Sequence, residues 1–484
     1  MTIVRKWTSL ALLLVFLLGG EWFISSPISA QAEENGWTKP IIIFDVDNQG
    51  TIFTPTLSTD QTGTVHLVWR VVLEDGEQLI YYMRKDKNGW SEPLDIVADQ
   101  SAIYPNLAAD STGYLNLLWQ GPNNQLLYSQ ARADDPITAH SWSKPMVVDI
   151  TNTFSEIVAD PTGRLHVVYP GEGILGPTYQ LLNTTVGTQG FPINIATTSR
   201  VDASANYVRL AIGDNGSLHA VWTEFQLPDA WPPTGIFYSH SFDKGKTWSE
   251  PLELAGEGYN QANIALINNE VHAVWNGMVG VGGRYHRWSA DEGDTWSDTV
   301  HLDTFGRDGS TGLPPIAADS AGNLHLLVTD ADIDGAGCAM YLSWQDQHWT
   351  PPVCISGSDA KRSNYIEEPA LTVSNGNQLH AVFWDDRQRL WYTSKRLDVP
   401  GVPPLPFPTQ SIEIQVTPSP QITEPSPLPK NTLMPIQPRT TVVTGDESEQ
   451  FRSYNPAEAI VLGLIPVVIL TGGLVAFQIF RHRN

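Results

Sequence analysis

Polar and apolar positions along this chain follow a pattern that repeats. The phrase Asp-x-x-Gly-x-(Leu/Val)-His-hydrophobic-hydrophobic-Trp occurs as DQTGTVHLVW from Asp60, DSTGYLNLLW from Asp110 and DPTGRLHVVY from Asp160. Looser copies begin at Asp214, Asn268, Asp319 and Ser374, so seven copies follow one another at about 50 residues apiece. Each period holds four short apolar runs bounded by turn residues, which is the pattern of strands and not of helices. In the second period these runs predict strand A at 106–109, B at 114–119, C at 126–131 and D at 146–149. The Asp-x-x-Gly between A and B predicts a tight turn in which glycine takes a positive φ.

Seven four-stranded sheets that cannot bury both faces alone predict a closed, all-β, seven-bladed β-propeller. Both ends of the array support closure. The chain enters the repeats through Gly36-Trp37-Thr38-Lys39-Pro40 and an apolar run, a strand D with no A, B or C before it. It leaves them through Leu390 to Arg396, a strand C with no D after it. The N-terminal strand is therefore expected to complete the last blade and hide two sheet edges. The propeller is placed at residues 36–398.

The flanks change the cellular picture. Arg5 and Lys6, an apolar run and small residues near Ala30 predict a secretory signal peptide at 1–32. Residues 458–480 are long and apolar enough for one transmembrane helix, and a basic tail at 481–484 places its end in the cytoplasm. The Pro-rich segment 399–457 is expected to act as a stalk. The propeller is thus expected outside the cell, on a single-pass membrane protein. A net charge of −24 argues against nucleic acid as a partner. Cys338 and Cys354, the two cysteines, flank a hairpin signal and are expected to form a disulfide in that oxidising compartment.

Two C–D connections read Ser-x-Asp-x-Gly-x-Thr-Trp, at Ser241 to Trp248 and Ser289 to Trp296. They resemble the Asp-boxes of bacterial neuraminidases and related propellers. The resemblance implies a structural staple on the face opposite an active site, so Asp243 and Asp291 are not read as catalytic. It also implies what a sialidase would need: three arginines, a tyrosine nucleophile backed by glutamate, and an acid/base aspartate. The family's Arg-Ile-Pro motif is absent, Lys39-Pro40-Ile41 standing there, and the repeats number seven where those enzymes have six blades. No catalytic residue is carried over.

The recurrent histidines, one per period except for Asn116, occupy one strand position in successive blades. Metal ligands must converge within about 2 Å of one ion, which a ring of separated blades does not provide, so these histidines are expected to be structural. Ligand chemistry is expected on the face of the B–C and D–A loops. The residues singled out there are Arg70, Glu224, Arg307, Arg362, Tyr365 and Arg387, with Tyr104 among the further D–A residues. Asp330, Asp332 and Asp334 form the front half of a calcium loop; Tyr341 stands where its closing Glu belongs. Structural calcium and plain loop solvation both remain open there, and no other cofactor is expected. The expected function is recognition of an extracellular glycan or protein, carbohydrate first. A sialidase-type glycoside hydrolase and a protein-interaction scaffold are the alternatives.

Overall fold

A computed structural model describes residues 35–408, apart from 48, 100, 135–136, 152, 172–175, 184–187, 228–231, 279–280, 303, 305–311, 332–336 and 358–364. The signal peptide, the transmembrane segment, the tail and the stalk beyond 408 lie outside the described residues. Among the described residues no helix is long and apolar enough to cross a membrane.

The described residues form seven antiparallel sheets, each the blade of a propeller. In blade 2 the strands are Ile103–Ala109, Tyr114–Gln120, Gln125–Arg132 and Met146–Ile150, paired in that order. Blade 7 takes strands A to C from Ile366–Ser374, Gln378–Asp385 and Arg389–Arg396, and strand D from the other end of the chain, Ile41–Asp45. Ile41 pairs with Tyr392 and Asp45 with Arg389. Thr38 extends the seam, its N–H donating to Ser394 O at 2.8 Å.

The core lies between blades. Trp69, Trp119, Trp222, Trp275 and Trp384 from strand B are at most 4% exposed. One cluster joins Val68, Ile80 and Tyr82 of blade 1 to Leu107, Leu117 and Trp119 of blade 2. Burying a tryptophan removes roughly 150–250 Å² from water, about 4–6 kcal/mol at 25 cal/mol per Å². No blade achieves that alone, and ring closure follows from it.

The strand-B histidines staple each blade internally. His66 Nε2–H donates to Asp60 Oδ2 in the A–B turn (3.1 Å), and Nδ1 accepts from the Tyr82 hydroxyl on strand C (2.8 Å). His166 and His325 repeat this with Asp160 and Tyr179, and with Asp319 and Tyr341. His219 and His380 use Ser217 and Ser374 in place of the aspartate. Blade 2 fixes the direction of the network: Asn116 Nδ2 donates to Asp110 Oδ2 and its Oδ1 accepts from Tyr128. Burial lowers the pKa of His166 and His325, and pushes His219 and His380 down to about 3 and His272 to about 4.

The two Ser-x-Asp-x-Gly-x-Thr-Trp loops close on themselves. Asp243 Oδ1 accepts from the Thr247 N–H at 2.9 Å and Oδ2 from the Thr247 hydroxyl at 2.6 Å; Asp291 and Thr295 do the same. Those bonds hold both carboxylates down at about 2. Cys338 and Cys354 are joined by a disulfide, their Cα atoms 5.8 Å apart, between strand C and strand D of blade 6.

Residues 399–408, the start of the Pro-rich segment, run under the A–B turns as a strap. The Ser320 hydroxyl of blade 6 donates to Pro400 O, and the Val402 N–H donates to Asn375 O of blade 7 at 2.8 Å. In blade 1, Leu405 N–H donates to Gln61 O (2.7 Å), and Gln61 Nε2 donates to Pro406 O (2.9 Å). Phe407 then lies on Gly113 of blade 2, where a Cβ would sit 2.8 Å from its ring. Four consecutive blades, the closure seam among them, are tied from beneath.

Candidate functional site

The innermost strands depart from regular pairing at one height. In blade 1, Phe53 pairs with Arg70 and Thr56 with Val68, so strand A holds one residue more than its partner, a β-bulge. The same slip occurs at Ile103/Asn106, Asn206/Arg209, Asn260/Asn263 and Glu367/Ala370. The bulged residues Thr54, Tyr104, Tyr207, Gln261 and Glu368 all have positive φ, from 41° to 55°. For L residues, and most of all β-branched Thr54, this conformation costs about 1–3 kcal/mol each, and such strain collects at functional sites.

With Phe154 of blade 3 and Gly312 of blade 6, these residues make a ring of seven, one per blade, around a cavity of about 90 Å³. The ring is two-sided. Blades 2 to 4 supply a continuous aromatic wall: Tyr104 and Phe154 have centroids 3.9 Å apart, Phe154 and Tyr207 4.8 Å. Blades 5, 7 and 1 supply Gln261, Glu368 and Thr54. The Thr54 hydroxyl is buried without a partner among the described residues.

Glu368 is half-buried in blade 7, across from this wall, where burial pushes its carboxyl up to about 7 against bonds from Thr54 N–H (2.5 Å) and Trp384 Nε1 (3.3 Å). Arg70 stands beside it, 4.9 Å over the Phe53 ring and donating to Gln78 Oε1 at 3.0 Å. Burial pushes the Arg70 pKa down, and the charges of Tyr104 and Glu368 counter that. Arg209 is 5% exposed, lines the same cavity, and has Glu156 at 3.9 Å. Burial pushes Tyr104 up, and Tyr207 up to about 12, so both phenols stay neutral. A small amphipathic cup results: stacked rings from blades 2 to 4 on one side, with Arg209 beside them, and the hydrogen-bonding groups of blades 5, 7 and 1 on the other. Its volume lies below the roughly 300 Å³ of an enclosing pocket, so a ligand rests on it and is not swallowed.

Of the residues chosen from sequence, Tyr104 lines this cavity; Arg70 is outside the lining, near enough for its charge to act on Tyr104 and Glu368. Glu224 has no part in the cavity: it is fully buried, accepting from the Ser199 N–H (2.9 Å), the Ser199 hydroxyl (2.5 Å) and Trp222 Nε1 (3.1 Å). Its carboxylate holds a D–A loop in place and no ligand can reach it. Tyr365 packs edge-on against Trp384, 6.2 Å between centroids, outside the cavity lining. Arg387 is exposed in the B–C turn of blade 7, while its neighbour Asp385 is buried and paired with Arg389 at 2.5 Å. Arg307 and Arg362 lie outside the described residues. So do Asp332 and Asp334; Asp330 is 6% exposed inside strand Leu324–Ala331, with the buried Arg284 acting on it. Among the described residues no cluster of three metal-ligating side chains occurs.

The ring carries a sequence signal of its own. Its members stand six or seven positions before the first residue of each A–B turn, as Thr54 stands before Asp60, Tyr207 before Asp214 and Glu368 before Ser374. Reading that column down the repeat gives Thr, Tyr, Phe, Tyr, Gln, Gly, Glu. A variable column inside an otherwise regular repeat marks the axis.

No protein-family model matches the chain, and no curated protein matches it by sequence. Among solved structures it is similar to a polysaccharide lyase of family PL25, an ulvan lyase bound to -[GlcA(1-4)Rha3S]-. That similarity has 11% identity and a TM-score of 0.51, over 72% of this chain and 94% of that one. It is also similar to the BP39L lectin from Burkholderia pseudomallei, with 14% identity and a TM-score of 0.51, over 73% and 98% of the two chains. The NanB sialidase from Streptococcus pneumoniae has 13% identity and a TM-score of 0.42, over 76% and 72%. At these identities the likeness is one of fold, a β-propeller.

Proposed function

We propose that this protein is a carbohydrate-recognition propeller whose ligand sits on the axial cup. The observation that carries the reading is the aromatic wall Tyr104–Phe154–Tyr207 facing Glu368, with Arg70 and Arg209 close by. A sugar ring has an apolar face and a hydroxyl rim, and this cup offers a partner to each. A lectin and a polysaccharide lyase share the architecture, which favours carbohydrate over a protein ligand. The signal peptide expected at 1–32 and the anchor expected at 458–480 would put the cup outside the cell. The test is binding of the full-length protein to a broad panel of immobilised oligosaccharides. Saturable binding to a subset supports the reading, and silence across the panel rejects it.

A second reading rests on Glu368 alone. A carboxyl raised to about 7 beside a buried tyrosine and an arginine is suited to proton transfer during glycoside cleavage. Turnover of a fluorogenic sialoside, lost in Glu368→Gln, would make the cup catalytic; a product-free incubation leaves the binding module.

A further inference from the structure

In blades 4 and 5 the C–D staples cover the seam to the preceding blade on the A–B face. In blade 4 the staple lays Gly245 on the tyrosine of the preceding blade: a Cβ there would sit 2.3 Å from the Tyr179 ring. In blade 5, Gly293 covers Tyr238 in the same way, at 1.9 Å from its hydroxyl. Both glycines have positive φ, 84° and 98°. Blade 1 lacks this staple. Ten positions separate Tyr238 from Trp248, but only eight separate Tyr82 from Trp90. The shortened turn leaves Gly89 with nothing within 4 Å of a Cβ. Trp90 still packs edge-on against Tyr392 at 5.1 Å, and beside that contact the seam between blades 7 and 1 holds a cleft of about 640 Å³.

The cleft is built from both ends of the ring. Blade 1 gives Thr62, Thr64, Lys85 and Lys87; blade 7 gives Ser374, Tyr392, Ser394 and Arg396. Its floor is ordered, with His380 bonded to Ser374 Oγ and to the Tyr392 hydroxyl, each at 2.8 Å. Lys85 Nζ stands 5.8 Å from the centre of the Tyr392 ring. None of Lys85, Lys87 and Arg396 forms an ion pair among the described residues; Asp86 also lines the cleft, accepts from the Asn88 N–H at 2.7 Å, and its charge acts on Lys85. In a chain of net charge −24, three cations against one carboxylate around a hydroxyl-lined cleft form an unusual patch.

We propose that the cleft between the first and last blades is a second binding site, separate from the axial cup, for an acidic saccharide. Lys85, Lys87 and Arg396 would receive its carboxylate or sulfate groups, and the threonine and serine hydroxyls its ring hydroxyls. The volume falls in the range of roughly 300–1,000 Å³ that holds a small ligand. The inference needs nothing from the reading of the cup.

The test titrates the full-length protein with tetragalacturonate, its neutral methyl ester, inorganic sulfate and phosphatidylserine vesicles. The expected result is saturable binding of the free acid alone. It weakens at least tenfold in Lys85→Gln/Lys87→Gln and weakens with added salt. Replacing the blade 1 turn by the blade 4 staple should abolish it by closing the cleft, with the melting temperature reporting that the fold is kept. Three outcomes overturn the proposal: equal binding of the methyl ester, binding of sulfate or vesicles as tight as that of the acid, or binding lost in Tyr104→Ala but kept in the lysine variant.

Discussion

Glu368 in the last blade accepts a hydrogen bond from the backbone N–H of Thr54 in the first, at 2.5 Å, and both residues line the axial cavity. One contact thus ties the closure of the ring to the surface offered to a ligand. Both partners are bulged residues with positive φ, so the ladder gives up regular pairing to place them.

Glu368→Gln keeps an acceptor for Thr54 but cannot ionise. The carboxyl's folded pKa of about 7 lies above its ordinary 4.5, so the folded state holds the proton more tightly. Its contribution to stability is present below pH 4.5 and lost as pH rises through 7. The melting temperature of Glu368→Gln minus that of the wild type should therefore increase from pH 4.5 to 7 and level off above. A flat difference would mean that Glu368 titrates normally.

The buried histidines give the opposite slope. His219, His272 and His380 have folded pKa values of about 3, 4 and 3, below the 6.5 of a free imidazole. Nothing is lost above pH 6.5. As pH falls from there, the unfolded chain takes up protons that the folded chain refuses, at up to about 1.4 kcal/mol per pH unit for each histidine. His219→Asn installs the residue that blade 2 already uses at Asn116, and should fold and show a shallower acid slope in thermal melts between pH 6.5 and 4. An unchanged slope would show that His219 is not a source of the acid sensitivity.

The strap makes a prediction about length. A chain ending at Asp398 loses the bonds to Asn375 and Gln61 and the packing of Phe407 on Gly113. At about 0.5–1 kcal/mol for each of these three hydrogen bonds and about 1 for the half-buried Phe407, it should be about 2.5–4 kcal/mol less stable than one ending at Pro408. Denaturant midpoints of the two measure this directly.

Reduction of Cys338–Cys354, which closes a loop of sequence separation 16, should cost about 3 kcal/mol through the freedom restored to the unfolded chain. Paired denaturant melts with and without reductant read it.

The blades were legible because their determinants are local and repeated. The Asp-x-x-Gly turns, the alternating strands and the orphan strands at the two ends each follow from a few neighbouring residues, and the structure joins Ile41–Asp45 to Arg389–Arg396 as that pattern requires. The site was less legible because it is assembled one residue per blade. Charge drew attention to Glu224, whose carboxylate is spent on Ser199 and Trp222, while uncharged Phe154 and Gln261 passed unnoticed. A bulge at the axis depends on what the other six blades place beside it, and no local motif announces it.

The most direct test of the account is the affinity of the full-length protein for its best panel glycan, compared with Tyr104→Ala and Tyr207→Ala. Each substitution removes one ring of the aromatic wall and leaves the interblade tryptophans intact. The account predicts at least a tenfold loss in each variant, with thermal melts close to wild type. Undiminished affinity in both would place the glycan elsewhere and contradict the axial cup as the recognition site.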